Sequence, residues 1–236
     1  MLDPTQTVAR LVLDHSECAT VLKRHRIDFC CRGDVSIEAV CAEKGIDPQV
    51  LLTELSAAIA ERRGEAGADP RAMSTPALIG HIVAKHHEYL RKALPFVRAL
   101  SAKVSHVHGA HDPRLTQLDA TVQALVDALL PHLDEEEQVL FPAMMGKSPD
   151  AALIARELGS MQEDHLAVGA LLEQMRDATE DYRLPEWACN SYRTLFSELA
   201  QLEGDVLTHV HLENHVLQPR FAAIAPSPAE GVSSTA

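Results

Sequence analysis

Two segments of the chain repeat one pattern of residues that can bind metal. His132 precedes Glu136 by four residues, and His209 precedes Glu213 by the same spacing. In both copies a leucine follows the glutamate by four residues, and a proline follows that leucine by two. Residues four apart share one face of an α-helix, so each imidazole and its carboxylate point the same way. Mixed imidazole and carboxylate ligation suits iron, with manganese or zinc as lesser options.

The apolar residues that continue these faces predict that both faces are buried. A histidine and a carboxylate buried without partners would be costly, and a metal ion would supply the partner. A single pair of this kind is more often an ion pair on a solvated helix face. Because the pattern occurs twice, each time with apolar residues and a proline, we favour a metal site over that alternative.

Four long helices are predicted to carry these ligands, at about 75–105, 114–145, 151–178 and 185–221. Short connections make neighbouring helices antiparallel, so the second and fourth run parallel and their pairs can lie at one level. The first and third helices must then supply His86 or His87, and His165. Adjacent helical residues diverge by about 100°, so only one of His86 and His87 is expected to face inward.

The resulting ligand set comprises four histidines and two glutamates. One metal ion rarely uses six such side chains, so two ions fit better, each with two histidines and both glutamates as bridges. A non-protein oxygen could also bridge, and open positions would remain for water, O₂ or NO. The order His-x-x-x-Glu differs from the Glu-x-x-His of ferritin-like carboxylate proteins.

Composition favours an all-α protein and limits the classes of partner. The 236 residues are 46% hydrophobic but only 4% aromatic, which favours helices over sheets. The net charge of −13 argues against nucleic acid as a partner. We find no apolar run of about 18 residues that would span a membrane. The first residues lack the features of a signal peptide, so a cytoplasmic location is expected.

The N-terminal part has its own helical pattern and an unusual pair of thiols. We predict a small helical cysteine-containing domain at 1–63, a linker at 64–76, the bundle at 77–222 and a disordered tail at 223–236. Cys30 and Cys31 lie in a predicted loop. They are either structural cysteines in a small core or a reactive pair for redox chemistry or metal transfer. Because every predicted ligand follows the linker, the thiol pair is expected to be separable from the metal site.

Together these residues resemble a known family. The helices with His87, His132, Glu136, His165, His209, Glu213 and the following Asn214 resemble a hemerythrin-like di-iron domain. The run Asp28-Phe29-Cys30-Cys31 resembles the ScdA-type N-terminal domain of the repair-of-iron-centres family, also called YtfE, ScdA, DnrN or NorA proteins. The resemblance implies a hemerythrin-like antiparallel four-helix bundle preceded by a small helical domain.

The resemblance also implies a function and a ligand set. It selects His87 rather than His86, and it implies two iron ions in a non-haem, oxo-bridged centre. NO or O₂ would be the small ligands, and damaged iron–sulfur proteins the partners in a nitrosative and oxidative stress response. The thiols of Cys30 and Cys31 could take part, and His108 could reach the mouth of the site and lie behind the ligands there. A monomer or a homodimer is compatible with the sequence.

Other functions remain open at this stage. The chain could sequester or sense NO or O₂, could reduce NO as an enzyme, or could be a metal-free helical interaction module. Labile iron would favour cluster repair, and reversible gas binding would favour sequestration or sensing. N₂O formation would favour the enzyme, and absence of metal would leave the interaction module. The chain also departs from the family at two places, with Arg32-Gly33 where Gly-Gly is common and Gln218 where phenylalanine is common.

Overall fold

The computed structural model describes residues 2–61, 69–146 and 148–223. These residues form helices, turns and one isolated bridge between Thr7 and Ser36, without a β-strand, so the predicted all-α class is confirmed. In the described part of the chain, no helix is both long enough and apolar enough to cross a membrane.

Between residues 2 and 61, the described residues form four short helices: α1 (Val8–Asp14), α2 (Cys18–Arg24), α3 (Ile37–Lys44) and α4 (Pro48–Glu61). Thr7 and Ser36 cap α1 and α3, because their hydroxyls accept hydrogen bonds from backbone amides of the first turn. Gly45 ends α3 in the left-handed conformation that glycine adopts easily. Residues 25–35 form the predicted loop, which carries Cys30 and Cys31.

Four long helices form the bundle. They are α5 (Thr75–Ile82, Val83–His87 and Glu88–His108), α6 (Arg114–Glu135, Glu136–Leu140 and Phe141–Met145), α7 (Ala151–Thr179) and α8 (Asn190–Leu212 and Glu213–Leu217), and a 3₁₀ turn, Gln218–Phe221, follows. Contacts between α5 and α6 join Ser101 to Asp119 at one level and His87 to Glu137 at another, so these helices are antiparallel. Leucines fill the interior, and burying each side chain contributes about 1.5–3 kcal/mol.

Two helix ends differ from the prediction. The first bundle helix continues to His108, and the fourth begins at Asn190 rather than near 185. Glu180, Asp181 and Tyr182 all adopt positive φ after α7, so the chain needs a longer turn before α8 can start.

In the described part of the bundle, three π-helical turns interrupt the helices, at Val83–His87, Glu136–Leu140 and Glu213–Leu217. Such turns are rare and often mark functional sites, because the wider turn shifts the direction of the side chains. Each turn here begins or ends at a predicted ligand. The regular helical period used for the sequence prediction gave no sign of them.

The N-terminal part and the bundle share a continuous apolar core. Val8, Leu22 and Phe29 belong to the same buried cluster as Leu94 and Leu199 of the bundle. The predicted linker lies partly outside the described residues, which omit 62–68, and the rest of it is fixed in place. Arg71 contacts Asp14 at 2.7 Å, and the carbonyl of Pro70 accepts from Arg220 at 3.3 Å. The predicted disordered tail lies outside the described residues from 224 onward.

Candidate metal centre

Six predicted ligands converge at one level of the bundle. The four helices deliver them as two buried groups, one of His87, Glu136, His209 and Glu213 and the other of His132, Glu136, His165 and Glu213. Within each group the potential ligand atoms all lie within 4.8 Å of one another. Both groups include the same two glutamates, so the arrangement contains two half-sites with shared carboxylates.

Glu213 presents one oxygen to each half-site. Its Oε1 lies 2.9 Å from Nε2 of His209, and its Oε2 lies 3.2 Å from Nε2 of His165. His209 and Glu213 share a face because they are four residues apart, as the sequence predicted. A carboxylate that faces two sites in this way has the geometry of a bridging ligand.

Glu136 divides its oxygens in the same manner. Oε1 lies 3.4 Å from Nε2 of His132, and Oε2 lies 3.5 Å from Nε2 of His87. Glu136 begins a π-helical turn, and the residue is only 2% exposed. The two glutamates therefore face each other across the centre, each between two imidazoles.

Several buried polar atoms of this cluster have no hydrogen-bond partner among the described residues. They include both carboxylate oxygens of Glu136, Oε2 of Glu213, and Nε2 of His132 and His165. Leaving such groups unpaired in an apolar interior costs free energy, which a bound cation would offset. The donor set of nitrogens and oxygens fits iron, manganese or zinc.

Two of the ligand histidines are held in the neutral form that binds metal. Burial, together with the neighbouring His209, lowers the pKa of His87 to about 4. Burial, together with His165, likewise lowers the pKa of His132 to about 4. Metal binding at neutral pH therefore displaces no proton from these two rings.

The pKa values of the two glutamates shift in opposite directions in the metal-free protein. Burial and the nearby Glu213 raise the pKa of Glu136 well above its ordinary value. Burial alone would raise the pKa of Glu213 as well, but His209 and His165 outweigh it and hold that pKa well below the usual range. Because the two carboxylates are close together, it is unfavourable for both to be ionised in the metal-free protein. Two bound dications would make the doubly ionised state favourable.

The outer nitrogens of three ligand histidines are fixed by neighbouring side chains. Nδ1 of His87 donates to Glu137 at 2.9 Å, Nδ1 of His132 to Asp164 at 3.2 Å, and Nδ1 of His165 to Asn214 at 3.1 Å. Because these oxygens can only accept, each Nδ1 carries the proton and each Nε2 has its lone pair toward the centre. Outer contacts of this kind orient metal-binding imidazoles.

Sequence reasoning missed these outer partners, although a signal was present. Glu137 follows Glu136, Asp164 precedes His165, and Asn214 follows Glu213. Each partner is therefore adjacent in sequence to one ligand while its side chain bonds the histidine of a different helix. A polar residue directly next to a ligand in the sequence was therefore the signal that could have indicated these outer partners.

His86 and His87 are both buried, but their rings have different surroundings. His87 belongs to the cluster, while the ring of His86 stacks on His209 with centroids 5.9 Å apart and bonds Asp205 at 2.9 Å. Both residues lie in the π-helical turn Val83–His87, which departs from the regular 100° step between adjacent helical residues.

His108 lies far from this cluster. It ends α5, 21 residues after His87, which corresponds to about 30 Å along a helix. Its Nε2 lies 3.2 Å from the sulfur of Cys189, and its ring is near Trp187 and Tyr192. The structure therefore does not bring His108 to the mouth of the site.

The loop with Cys30 and Cys31 packs directly against the bundle beside the cluster. Asn214 Nδ2 and His215 Nε2 both donate to the carbonyl of Cys30 at 2.9 Å. The sulfur of Cys31 lies 3.6 Å from the carbonyl oxygen of His165. The thiol loop and the metal-ligand candidates are therefore in contact through α8, and whether the bundle binds metal without the N-terminal part stays a prediction.

The two sulfurs lie 3.6 Å apart and line a cleft of about 350 Å³ between the loop and the bundle. Hydrogen bonding to Cys31 and burial raise the pKa of Cys30 well above the ordinary thiol value. With Asp28 the two cysteines form a third group of potential metal ligands.

Gly33 allows the thiol loop to pack closely against α1. A Cβ atom at position 33 would lie 2.4 Å from the carbonyl oxygen of Phe29 and 2.6 Å from Cβ of Ala9. A larger residue would therefore force the loop away from α1. Where Gly-Gly is common in the family, this chain keeps only the second glycine, Gly33, and that is the one that the packing requires. Arg32 is exposed, so its position accommodates a side chain.

Comparison with known proteins adds two family matches. Residues 78–221 match the model of the hemerythrin HHE cation binding domain. Residues 4–59 match ScdA_N, which is described as a domain of unknown function. The predicted resemblance is thereby confirmed for both parts of the chain.

Whole proteins with both parts are also similar to this chain. An iron-sulfur cluster repair protein ScdA from Staphylococcus haemolyticus is 32% identical over 226 residues, which cover 94% of this chain and 100% of that protein. An iron-sulfur cluster repair protein YtfE from Yersinia pseudotuberculosis is 29% identical over 218 residues, or 91% of this chain and 96% of that protein. The similarity therefore extends over both the thiol loop and the bundle.

Proposed function

The chain belongs to the family of hemerythrin HHE cation-binding proteins, and from that premise we propose that it is a di-iron protein for the repair of damaged iron–sulfur clusters. One observation carries the proposal: two buried half-sites share Glu136 and Glu213. The relatives named as iron-sulfur cluster repair proteins support the repair function.

Six side chains would hold the two ions. His87 and His209 would bind one, His132 and His165 would bind the other, and Glu136 and Glu213 would bridge. Bound iron would supply redox chemistry and open coordination positions for NO or O₂. The protein keeps His87 and His132 neutral by burying them. It also fixes the tautomers of three ligand imidazoles through Glu137, Asp164 and Asn214, and it keeps bulk water out.

The thiol loop would connect the centre with a damaged cluster. Cys30 and Cys31 lie at the surface of the bundle, one hydrogen-bonded residue away from His165. The cleft beside them is open to solvent and carries Arg26, Arg32 and Lys44 among its lining residues. We infer that the pair accepts iron from the centre, or passes electrons to it, when a partner protein docks there.

Metal analysis of protein purified without oxygen tests the proposal. We expect two iron atoms per chain and the Mössbauer signature of a coupled pair. Anaerobic addition of NO to the reduced protein should then produce an iron–nitrosyl absorption band, and incubation with a nitrosylated cluster protein should restore its cluster. A folded protein that takes up no iron under these conditions would overturn the proposal.

A further inference from the structure

The fourth ligand histidine, His209, differs from the other three at its outer nitrogen. Nδ1 of His87, of His132 and of His165 each donates to a neighbouring side chain. Nδ1 of His209 is buried and has no hydrogen-bond partner among the described residues, although its Nε2 lies 2.9 Å from Oε1 of Glu213. His209 is therefore the ligand candidate whose tautomer no neighbouring side chain fixes.

One helical turn before His209, Asp205 has a buried oxygen that also lacks a partner. Oδ1 of Asp205 accepts a hydrogen bond from Nδ1 of His86 at 2.9 Å. Oδ2 of the same carboxylate is buried and has no partner in the part of the chain that the structure describes. An unused acceptor on Asp205 and an unused nitrogen on His209 thus occur four residues apart on one helix.

The geometry of α8 brings these two side chains together. Both residues lie in its regular part, Asn190–Leu212. Residues four apart on a helix are neighbours, with Cβ atoms roughly 5–6 Å apart. Helical side chains also lean toward the N-terminus, so the ring of His209 lies over the turn that contains Asp205. Because Nε2 of His209 is directed at the half-site, Nδ1 is the nitrogen that remains for Asp205.

His86 keeps the carboxylate of Asp205 beside the ring of His209. The rings of His86 and His209 are nearly parallel, with an angle of 10° between their planes and centroids 5.9 Å apart. Asp205 already binds one of these stacked rings through Oδ1. A carboxylate has two oxygens that accept hydrogen bonds, so it can serve Nδ1 of both rings at once.

Tyr89 is the alternative partner for Oδ2 of Asp205. Its hydroxyl is buried and, like Nδ1 of His209, has no partner among the residues described. Burial, together with Asp205 and Glu198, raises the pKa of Tyr89 to about 12, so the phenol is a neutral donor. The two donors differ in what their loss would do, because only His209 belongs to the metal-ligand cluster.

We propose that Asp205 is the positioning residue of His209. With metal bound, Oδ2 of Asp205 accepts from Nδ1 of His209, while Oδ1 keeps its hydrogen bond from His86. The inference rests on the proposed di-iron function and completes its ligand set, because all four imidazoles then have an outer acceptor. The carboxylate keeps the proton on Nδ1, so that Nε2 of His209 is available to the half-site that it shares with His87.

Competition between the full chain and a ferrous chelator, without oxygen, tests this role. Asp205→Leu replaces the carboxylate by an apolar group, and Asp205→Ala removes it. Each should weaken one of the two irons about 10–100-fold and leave the other unchanged. Asp205→Asn loses the same charge but keeps an acceptor oxygen for His209, and its amide can donate to Nδ1 of His86. This variant should bind both irons with affinities close to those of the wild type.

The comparison of these variants separates the acceptor from charge and from packing. Tyr89→Phe removes the alternative donor and should keep wild-type affinity for both irons. Wild-type affinity in Asp205→Leu and Asp205→Ala would overturn the role of Asp205, and so would an equal loss in Asp205→Asn. A loss in Tyr89→Phe as large as that in Asp205→Leu would assign Oδ2 to Tyr89 instead.

The same series with Zn²⁺, which the donor set also fits, distinguishes failure of this inference from failure of the proposed function. A wild-type chain that binds zinc but no iron would overturn the di-iron function, and the zinc affinities would then decide the role of Asp205. A wild-type chain that binds neither metal would overturn both.

Discussion

Asn214 accepts a hydrogen bond from Nδ1 of the metal-ligand candidate His165 at 3.1 Å. The same carboxamide donates through Nδ2 to the carbonyl of Cys30 at 2.9 Å. One buried side chain therefore sets the orientation of an imidazole and also anchors the thiol loop. A shift of the loop would change the position of the ligand, and a change at the centre would reach the thiols by the same route.

Replacement of Asn214 tests this link. Asn214→Ala removes the acceptor that keeps Nδ1 of His165 protonated and its Nε2 directed inward. We expect iron affinity to fall about 10–100-fold, the usual cost of losing an outer partner of a metal-binding histidine. Competition with a ferrous chelator measures the affinity of each variant.

His215→Ala is the matched control for Asn214→Ala. His215 Nε2 donates to the same Cys30 carbonyl at 2.9 Å, but no contact joins it to a ligand side chain. This variant should loosen the loop and keep the iron affinity of the wild type. An equal loss of affinity in both variants would mean that the position of the loop, rather than the bond to His165, sets the affinity.

Glu136 should be required for both ions, because its two oxygens face different half-sites. Glu136→Ala is expected to reduce the iron content from two atoms per chain to nearly none. Glu137→Gln is the matched comparison, since His87 is the one ligand candidate that Glu137 contacts, and the change should weaken one ion. Metal analysis of both proteins decides the point, and a full di-iron complement in Glu136→Ala would contradict the bridging role.

The two adjacent histidines of α5 should differ in their effect on iron content. His87→Ala removes a predicted ligand and should lower the iron content. His86→Ala should retain two irons, but it should lose about 1–3 kcal/mol in the free energy of unfolding, because Asp205 is left without its partner. Metal analysis and urea unfolding of both variants check these outcomes. The opposite pattern would place His86 in the ligand set.

Much of the fold was predictable because the ligand residues recur at helical spacing. The spacing of His132 and Glu136, repeated at His209, indicated two parallel helices with a buried face, and antiparallel connections then required ligands from the other two helices. The choice between His86 and His87 came from family resemblance, since helical spacing alone left it open. That reasoning assumed regular α-helices. It did not predict the π-helical turn at Val83–His87, and therefore it did not predict that both histidines are buried.

The position of the thiol loop was not predictable from local patterns. It depends on contacts such as Asn214 to Cys30, which join residues 184 positions apart in the chain. A linker-like composition at 64–76 suggested independence, but the apolar residues of α1 and α2 are buried against the bundle. Tertiary contacts, rather than the linker, therefore determine where Cys30 and Cys31 lie.

His211 should make the stability of the metal-free protein depend on pH. Its Nδ1 donates to the carbonyl of Phe29 at 3.1 Å, and burial, with the neighbouring His215, lowers its pKa to about 4. The unfolded chain takes up a proton near pH 6.5, whereas the folded ring does so only near pH 4. The stabilising contribution is therefore complete above pH 6.5 and is lost toward pH 4, by roughly 3 kcal/mol.

A comparison of variants isolates this contribution, because the raised pKa of Glu136 acts in the opposite direction. Between pH 6.5 and pH 4 the wild type should lose more unfolding free energy than His211→Gln, as measured by urea unfolding. His106→Gln changes an exposed histidine and should follow the wild type. Parallel curves for wild type and His211→Gln would show that His211 titrates normally in the folded protein.

The thiol pair should act in repair and not in holding iron. Cys30→Ser/Cys31→Ser retains all six ligands and the backbone carbonyl that Asn214 binds, so iron content should stay at two per chain. If the sulfurs 3.6 Å apart pass iron or electrons onward, the variant should repair a nitrosylated cluster protein at least several-fold more slowly. Cys189→Ser, which changes an exposed thiol beside His108 at the other end of the bundle, should repair at the wild-type rate. Equal rates in all three proteins, at equal iron content, would assign Cys30 and Cys31 to packing alone.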